Sequence, residues 1–176
     1  ALATHGQCLA FEPPHFRAMG ADSPSLATVG GMVACGLAGP ARASVGGVRD
    51  HVLGVQMING KGEWLTFGGQ VMKNVAGYDV SRVLAASMGT LGVITEVSLK
   101  VLPHAPAEAT LACPLPQAQA LALVNRWGGQ PLPLNASCWV HDTSTQPSQE
   151  ILFVRLRGAV AAVDAAVLRM RADVAA

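Results

Sequence analysis

The sequence predicts an α+β protein built from two units. The first observation is a β-hairpin followed by a strongly alternating strand within the first hundred residues. The second is a linker rich in proline and alanine, residues 104–107, which offers little surface to bury. The third is the order of elements expected over residues 108–176, which is strand, helix, strand, strand, helix.

Four stretches define the first unit, residues 1–103. An irregular start is expected over residues 1–26, since the two prolines of "FEPPHF" favour extended backbone. In "VLGVQMINGKGEWLTFGG", two apolar runs flank an Asn-Gly pair, which predicts the hairpin. "YDVSRVLAASMG" predicts a short helix that Asp79 caps and Gly89 ends. The alternation in "GVITEVSLKVLP" predicts a strand ended by Pro103, with Val93, Thr95, Val97, Leu99 and Val101 on one face.

The second unit, residues 108–176, has the pattern of an incomplete ferredoxin-like fold. "EATLACPL", "LNASCWVH" and "EILFVRLRG" are predicted strands. "PQAQALALVNRWGG" predicts a helix with Leu121, Val124 and Trp127 on one stripe, and the last eighteen residues predict another, with Val160, Val163, Val167 and Met170 on one side. The order βαββα is most of a split βαβ unit.

Composition excludes several classes of function. The formal net charge is +1 and only 13% of residues are charged, so no basic face indicates nucleic-acid binding. No apolar run has membrane-spanning length. The cysteines are scattered without metal-ligand spacing, which favours free, buried thiols in a reducing cytoplasm: Cys8, Cys35, Cys113 and Cys138. The five histidines also lack ligand spacing, so no metal site is predicted.

The stretch "TVGGMVACGLAG" allows two interpretations. If Thr28 to Gly31 form a tight turn, their N–H groups can line a concavity for an anion, and the small residues Ala34, Cys35 and Gly36 can lie against a planar ring. The alternative is a packed glycine turn with no ligand. The spacing fits neither a Rossmann fingerprint nor a Walker loop.

Two further motifs are weaker on their own. In "GGQVMKNVAGYDVSRVL", Lys73 and Asn74 either bind a ligand or tie down their own loop. In "GTLGVITEV", Gly89, Thr90 and Gly92 lead into a strand whose free backbone groups can pair with the edge of a purine.

Taken in order, these motifs resemble a known family. The segment Pro13–Pro103 is similar to the FAD-binding domain of the vanillyl-alcohol oxidase and p-cresol methylhydroxylase (PCMH) type, and within it to the FAD-binding (E) subunit of bacterial glycolate oxidase. "FEPPHF", "ATVGGMVACGLAGPARASVGGVRDHVLG", "INGKGEWLTFGGQVMKNVAGYDVSR" and "MGTLGVITEVSLKVLP" carry the resemblance, which continues into "NRWGGQPLPLNASCW".

The resemblance implies an α+β fold. Residues 1–103 would be the second subdomain of a PCMH-type FAD-binding domain, and residues 108–176 part of a ferredoxin-like (βαββα) cap domain. The first subdomain, which carries a further pyrophosphate loop, is expected to be absent, so weak FAD binding is expected from this chain alone. The resemblance assigns FAD contacts to Thr28, Val29, Gly30, Gly31, Ala34, Cys35, Gly36 and Gly39 in the first motif, and to Gly89, Gly92, Val93 and Ile94 in the last.

The resemblance also implies an activity. Glycolate, or another short 2-hydroxy acid, would be oxidised to glyoxylate or its analogue, and electrons would pass through FAD to partner subunits. Those partners would be a homologous flavin subunit and an iron–sulfur subunit, in the cytoplasm or peripheral at the inner membrane. The alternative is a non-catalytic flavin-binding, assembly or electron-relay subunit.

No catalytic residue is assigned from the sequence. The basic side chains of the second unit match no family motif: Arg126, His141, Arg155 and Arg157. Arg155 and Arg157 alternate on a predicted strand and are expected on a solvated edge face.

Overall fold

The structure is a computed structural model that describes residues 1–15, 27–72 and 77–175. The chain divides into two compact units, Ala1–Pro103 and His104–Ala176. The mixed helix and strand content confirms the predicted α+β class. Within the described residues, no helix is both long enough and apolar enough to cross a membrane.

The first unit is organised around a three-stranded antiparallel sheet. Its elements are, in chain order, a 3₁₀ turn (Ala3–His5), β1 (Gln7–Cys8), α1 (Val29–Cys35), α2 (Arg42–Val45), a second 3₁₀ turn (Val48–His51), β2 (Val52–Ile58), β3 (Trp64–Gly68), α3 (Val80–Val83), β4 (Val93–Leu99) and β5 (Leu102–Pro103). The strand order is β3-β2-β4, and β1 pairs separately with β5. The expected irregular start therefore contains one short strand, because its backbone pairs with residues far along the chain.

The predicted hairpin is confirmed, with a longer turn than the Asn-Gly pair alone would make. Asn59 N–H donates to the carbonyl of Glu63, which closes a five-residue connection between β2 and β3. The Asn59 side chain organises this turn, since its Oδ1 accepts from the N–H groups of Lys61 and Glu63. The asparagine therefore acts through its side chain as well as its backbone.

The strand β4 contains a bulge that changes which side chains face the core. Glu96 pairs with Gln56, but the next pair is Ile94 with Met57, so Thr95 has no partner. Because the extra residue reverses the alternation, Val93 is exposed and Ile94 packs against the core. The predicted single face is therefore wrong on the N-terminal side of the bulge.

The helix predicted over residues 78–89 is much shorter in the structure. Asp79 caps it as expected, accepting from Arg82 N–H at 3.3 Å, but α3 ends at Val83. Beyond it, Ala86 and Met88 have φ of 62° and 56°, which no helix accommodates. In this short helix and just after it, Val83 is exposed, while Ser81 and Leu84 are buried.

The second unit confirms the predicted order of elements. It consists of β6 (Ala107–Pro114), α4 (Gln117–Gly128), β7 (Leu134–Asp142), β8 (Gln149–Gly158) and α5 (Val160–Ala175), with strand order β6-β8-β7. Ala107, expected in the linker, begins β6 because it pairs with Gly158. Arg155 and Arg157 lie on the central strand, so their expected position on an edge strand is wrong.

One core joins both helices of this unit to its sheet. Trp127, Leu152, Val154, Leu156 and Met170 are fully buried there. The helical stripes were predicted only in part, because Leu121 and Val160 are exposed and Ala120 and Ala166 are buried instead. Nor are all cysteines buried as expected: no disulfide joins any of the four among the described residues, but Cys35 and Cys138 are exposed.

Candidate functional site

The glycine-rich motif forms the helix α1 rather than a tight turn. Thr28 is its N-cap, and Thr28 Oγ1 accepts from Gly31 N–H at 3.0 Å. The N–H groups of Val29 and Gly30 have no acceptor among the described residues. Sequence reasoning missed this helix because two adjacent glycines are poor helix formers, and the cap and tertiary contacts outweigh that preference.

The structure brings the first and last motifs together. A Cβ at Gly30 would lie 3.2 Å from the carbonyl oxygen of Ile94, so the missing side chain lets α1 approach β4 closely. At the other end of α1, the segment after α3 donates back to the helix: Ala86 N–H to Val33 O at 3.1 Å, and Met88 N–H to Ala34 O at 2.9 Å. Residues more than fifty positions apart in the chain therefore form one continuous surface.

Several predicted glycines are already explained by the fold of the chain itself. Gly36 has φ of 66°, and a Cβ there would meet Ala86 Cβ at 2.6 Å. At Gly39 a Cβ would lie 2.3 Å from Glu12 O, and at Gly92 it would lie 2.4 Å from Ile58 O. By contrast, a Cβ at Gly89 would meet nothing within 4 Å, and one at Gly31 would meet only Thr28 Oγ1. Close approach by a ligand is therefore open at Gly31 and Gly89.

The surface made by these motifs is exposed to solvent, carries no charged side chain and consists of small or apolar residues. Val29 and Val93 are 56% and 67% exposed, and Thr28, Gly31, Cys35 and Gly89 are exposed beside them. The half-buried members are Gly30, Ala34, Gly36, Gly92 and Ile94. Such a surface can cover one side of a flat group, and its backbone supplies the hydrogen-bonding capacity.

The middle motif is described only in part. Lys73 and Asn74 lie outside the described residues. The following residues line a cavity of about 200 Å³ with Tyr78, Asp79 and Arg82 at its rim. Ser81 Oγ donates to Asp79 Oδ1 at 2.7 Å, and Arg82 Nε lies 3.0 Å from Asp79 Oδ2.

This cluster has a clear electrostatic consequence. The hydrogen bond from the Ser81 hydroxyl holds the pKa of Asp79 below its ordinary value. The backbone N–H of Arg82 and the positive charge of its guanidinium lower this pKa to a smaller extent. Asp79 is therefore an anion near neutral pH. Sequence reasoning identified it only as a helix cap, since nothing in the spacing of Ser81 and Arg82 distinguishes them from ordinary helix residues.

Three arginines of the second unit are engaged within that unit: Arg126, Arg155 and Arg157. Arg126 pairs with Asp173 at 3.0 Å, Arg155 Nε donates to Asn135 Oδ1 at 2.7 Å, and Arg157 Nε lies 3.6 Å from Glu108. His141 lies opposite Glu150 across β7 and β8. These partners give Arg126, Arg155 and Arg157 structural roles within the described part of the second unit.

Comparison with known proteins identifies relatives over nearly the entire chain. The glycolate oxidase subunit GlcE of Escherichia coli (strain K12) is 46% identical over 166 residues, which is 94% of this chain and 43% of GlcE. The chain is a relative of GlcE. The resemblance predicted from the motifs is thereby confirmed. The chain spans less than half the length of GlcE.

A second curated protein is similar over half of this chain, and a solved structure has a similar fold. The glycolate oxidase subunit GlcD of Bacillus subtilis (strain 168) is 34% identical over 90 residues, covering 51% of this chain and 19% of GlcD. Alkyldihydroxyacetonephosphate synthase matches the fold with a TM-score of 0.73 and 18% identity, over 98% of this chain and 34% of that protein. No family model matches the sequence.

Proposed function

We propose that this chain is the part of a glycolate oxidase flavin subunit that covers one side of FAD. The observation that carries the proposal is the meeting of α1 with the start of β4, where Gly30 lies against the Ile94 carbonyl. Residues from two separated motifs thus form one surface, in a chain 46% identical to a glycolate oxidase subunit.

The residues present fit this cofactor. The N–H groups of Val29 and Gly30 are donors without an acceptor in the described chain, and they are suited to pyrophosphate oxygens. The exposed side chains of Val29 and Val93 offer apolar contact to ring systems, and Gly31 and Gly89 leave room for it. FAD, when bound, supplies the acceptor for the electrons of the substrate. The protein's part is to bind and orient it.

A charge placed on this surface tests the proposal. In the full-length gene product, Val29→Glu should weaken FAD binding by roughly tenfold or more, because a carboxylate would lie beside the pyrophosphate charge. Val160→Glu, which alters an equally exposed valine in the second unit, is the matched control and should leave the affinity unchanged. Flavin fluorescence quenching measures both. Equal affinities for the two variants would reject the surface as an FAD contact.

The same relatives support a proposal for the substrate and the partners. We propose glycolate or another short 2-hydroxy acid as the electron donor, and as partners a GlcD-like flavin subunit together with an iron–sulfur subunit. The four cysteines form no disulfide among the described residues, which is consistent with a reducing cytoplasm as the location of this complex. Copurification of the tagged full-length protein, followed by mass spectrometry and iron analysis, tests the partner assignment.

The ion pairs that Arg126 and Arg157 form with carboxylates of their own unit favour a second candidate function. Arg126 and Arg157 are held by carboxylates of their own unit, so neither offers an uncompensated cation to a substrate carboxylate. In this alternative, a partner oxidises the substrate and this subunit relays electrons or supports assembly. Dye reduction by glycolate, using the full-length protein without partners, separates the two: activity requires substrate oxidation by this subunit.

A further inference from the structure

The sheet of the first unit has one face directed away from its core. Val55 and Met57 of β2 are buried in the core, so the alternating residues Gly54, Gln56 and Ile58 point to the opposite side. Their cross-strand partners complete three rows, which we call the outer face: Trp64–Ile58–Val93, Thr66–Gln56–Glu96 and Gly68–Gly54–Ser98.

The chain builds a hollow at one end of this outer face. Gly68, with φ of 68°, turns the backbone over the sheet, and Gly69 N–H donates to Leu53 O at 3.2 Å. Only glycine fits at position 54, where a Cβ would lie 2.5 Å from Gly69 O. The hollow has a volume of about 170 Å³. Pockets for whole cofactors are generally about 300 Å³ or more, so it suits a single side chain.

Polar groups converge in the hollow without protein partners. The side chains of Gln56, Thr66, Glu96 and Ser98 line it, and none has a hydrogen bond or ion pair among the described residues. The Glu96 carboxylate therefore has no cationic partner among the described residues, and the hydroxyl and amide oxygens beside it are further acceptors.

An apolar row borders the hollow. Trp64 is 60% exposed and lies opposite Ile58. This row is two residues along β2 from Gln56, a distance of roughly 7 Å. That is also the spacing between alternate side chains of an extended peptide. An exposed tryptophan beside a polar hollow is typical of protein interaction sites.

We propose that the outer face binds an extended protein segment that places an arginine in the hollow and an apolar side chain, two positions away, on Trp64 and Ile58. Arginine fits better than lysine because its planar guanidinium has five donors and matches the Glu96 carboxylate together with the neighbouring oxygens. The polar contacts of the proposal do not depend on FAD binding, since Gln56, Thr66, Glu96 and Ser98 are not in the FAD surface, although Val93 of that surface lies next to Ile58 in the apolar row.

Titration of the ¹⁵N-labelled chain with acetyl-Leu-Ser-Arg-amide tests the proposal. We expect shifts at the amides of Gln56, Thr66, Glu96 and Ser98 and at the Trp64 indole, at up to about millimolar peptide. Glu96→Gln should weaken binding about tenfold, the usual size of a lost charge-assisted hydrogen bond. Asp164→Asn, which changes an exposed carboxylate of the second unit, is the control and should have no effect.

Three results would overturn the proposal. They are shifts confined to other surfaces, an equal response to the peptide with citrulline in place of arginine, and unchanged binding by Glu96→Gln. The spectrum of unliganded Glu96→Gln must match that of the wild type away from the hollow, which separates lost binding from lost folding.

Discussion

The indole Nε1 of Trp127 donates a 2.7 Å hydrogen bond to Oδ2 of Asp173, joining α4 to α5. Trp127 is fully buried, so its single polar atom needs this partner. Arg126 holds the other oxygen of the same carboxylate at 3.0 Å. Two helices that contribute separate stripes to the core are thus tied together at one carboxylate.

Truncation of this tryptophan should strongly destabilise the second unit. Trp127→Ala removes the largest buried side chain and is expected to lower the free energy of unfolding by about 3–5 kcal/mol. Leu121→Ala on the same helix is the control: its side chain is exposed, and a change within about 0.5 kcal/mol is expected. Urea unfolding, followed through the amides of β8, measures both. Equal losses would contradict the assignment of Trp127 to the core.

The stability of this unit should depend on pH through Asp173. The hydrogen bond from Trp127, with the charge of Arg126, lowers the pKa of Asp173 below its ordinary value of 3.8. Because the folded-state pKa is depressed, the stabilisation is complete well above pH 3.8 and is lost as the pH falls toward the folded value. Asp173→Asn should be less stable at neutral pH and should lose part of the acid dependence. Unfolding curves from about pH 6 downward test this. Parallel curves for both proteins would contradict it.

The glycine that ends α1 should tolerate no side chain. Gly36→Ala should lower the free energy of unfolding in two ways. The left-handed backbone conformation costs alanine about 1–2 kcal/mol, and a clash with Ala86 adds about 1–3 kcal/mol. Gly89→Ala is the matched comparison, since φ is similarly positive at 74° but the space is open. Gly89→Ala should therefore lose only the stability that the left-handed backbone conformation costs. Thermal unfolding of the two variants measures the difference, and a smaller loss for Gly36→Ala than for Gly89→Ala would contradict the packing.

The 176-residue chain by itself should bind FAD weakly. The motif residues form an open surface with Val29 and Val93 more than half exposed, whereas tight sites enclose most of their ligand. A Kd of micromolar or weaker is expected, measured by flavin fluorescence with the full-length gene product as reference. Binding below micromolar by the 176-residue chain would show that this surface suffices.

Local chemistry made part of the fold predictable. Asn59 and its neighbours define the hairpin turn, and their side-chain hydrogen bonds act within five residues. The βαββα order follows from periodicity, which requires no knowledge of distant residues. Likewise, the cap by Asp79 depends only on the residues directly after it.

The candidate site was predictable as a set of motifs but not as a surface. The motif pattern named Gly30 and Ile94 separately, and only packing brings them so close that a Cβ at Gly30 would lie 3.2 Å from the Ile94 carbonyl oxygen. The same packing explains Gly36 and Gly92 through contacts with Ala86 and Ile58, which no local pattern indicates. A glycine selected by a neighbouring strand has the same sequence signal as one selected by a ligand.

By itself, then, the sequence determined the features that depend on short range: the hairpin, the element order, the helix cap at Asp79 and the motifs shared with GlcE. Only the tertiary structure decided that Thr28 caps a helix, that a bulge at Thr95 turns Val93 outward, and that Arg155 lies on a central strand. The physical reason is that strand pairing and close helix approach are set by residues distant in the chain. Their contact energies outweigh the weak local preferences of the residues they order.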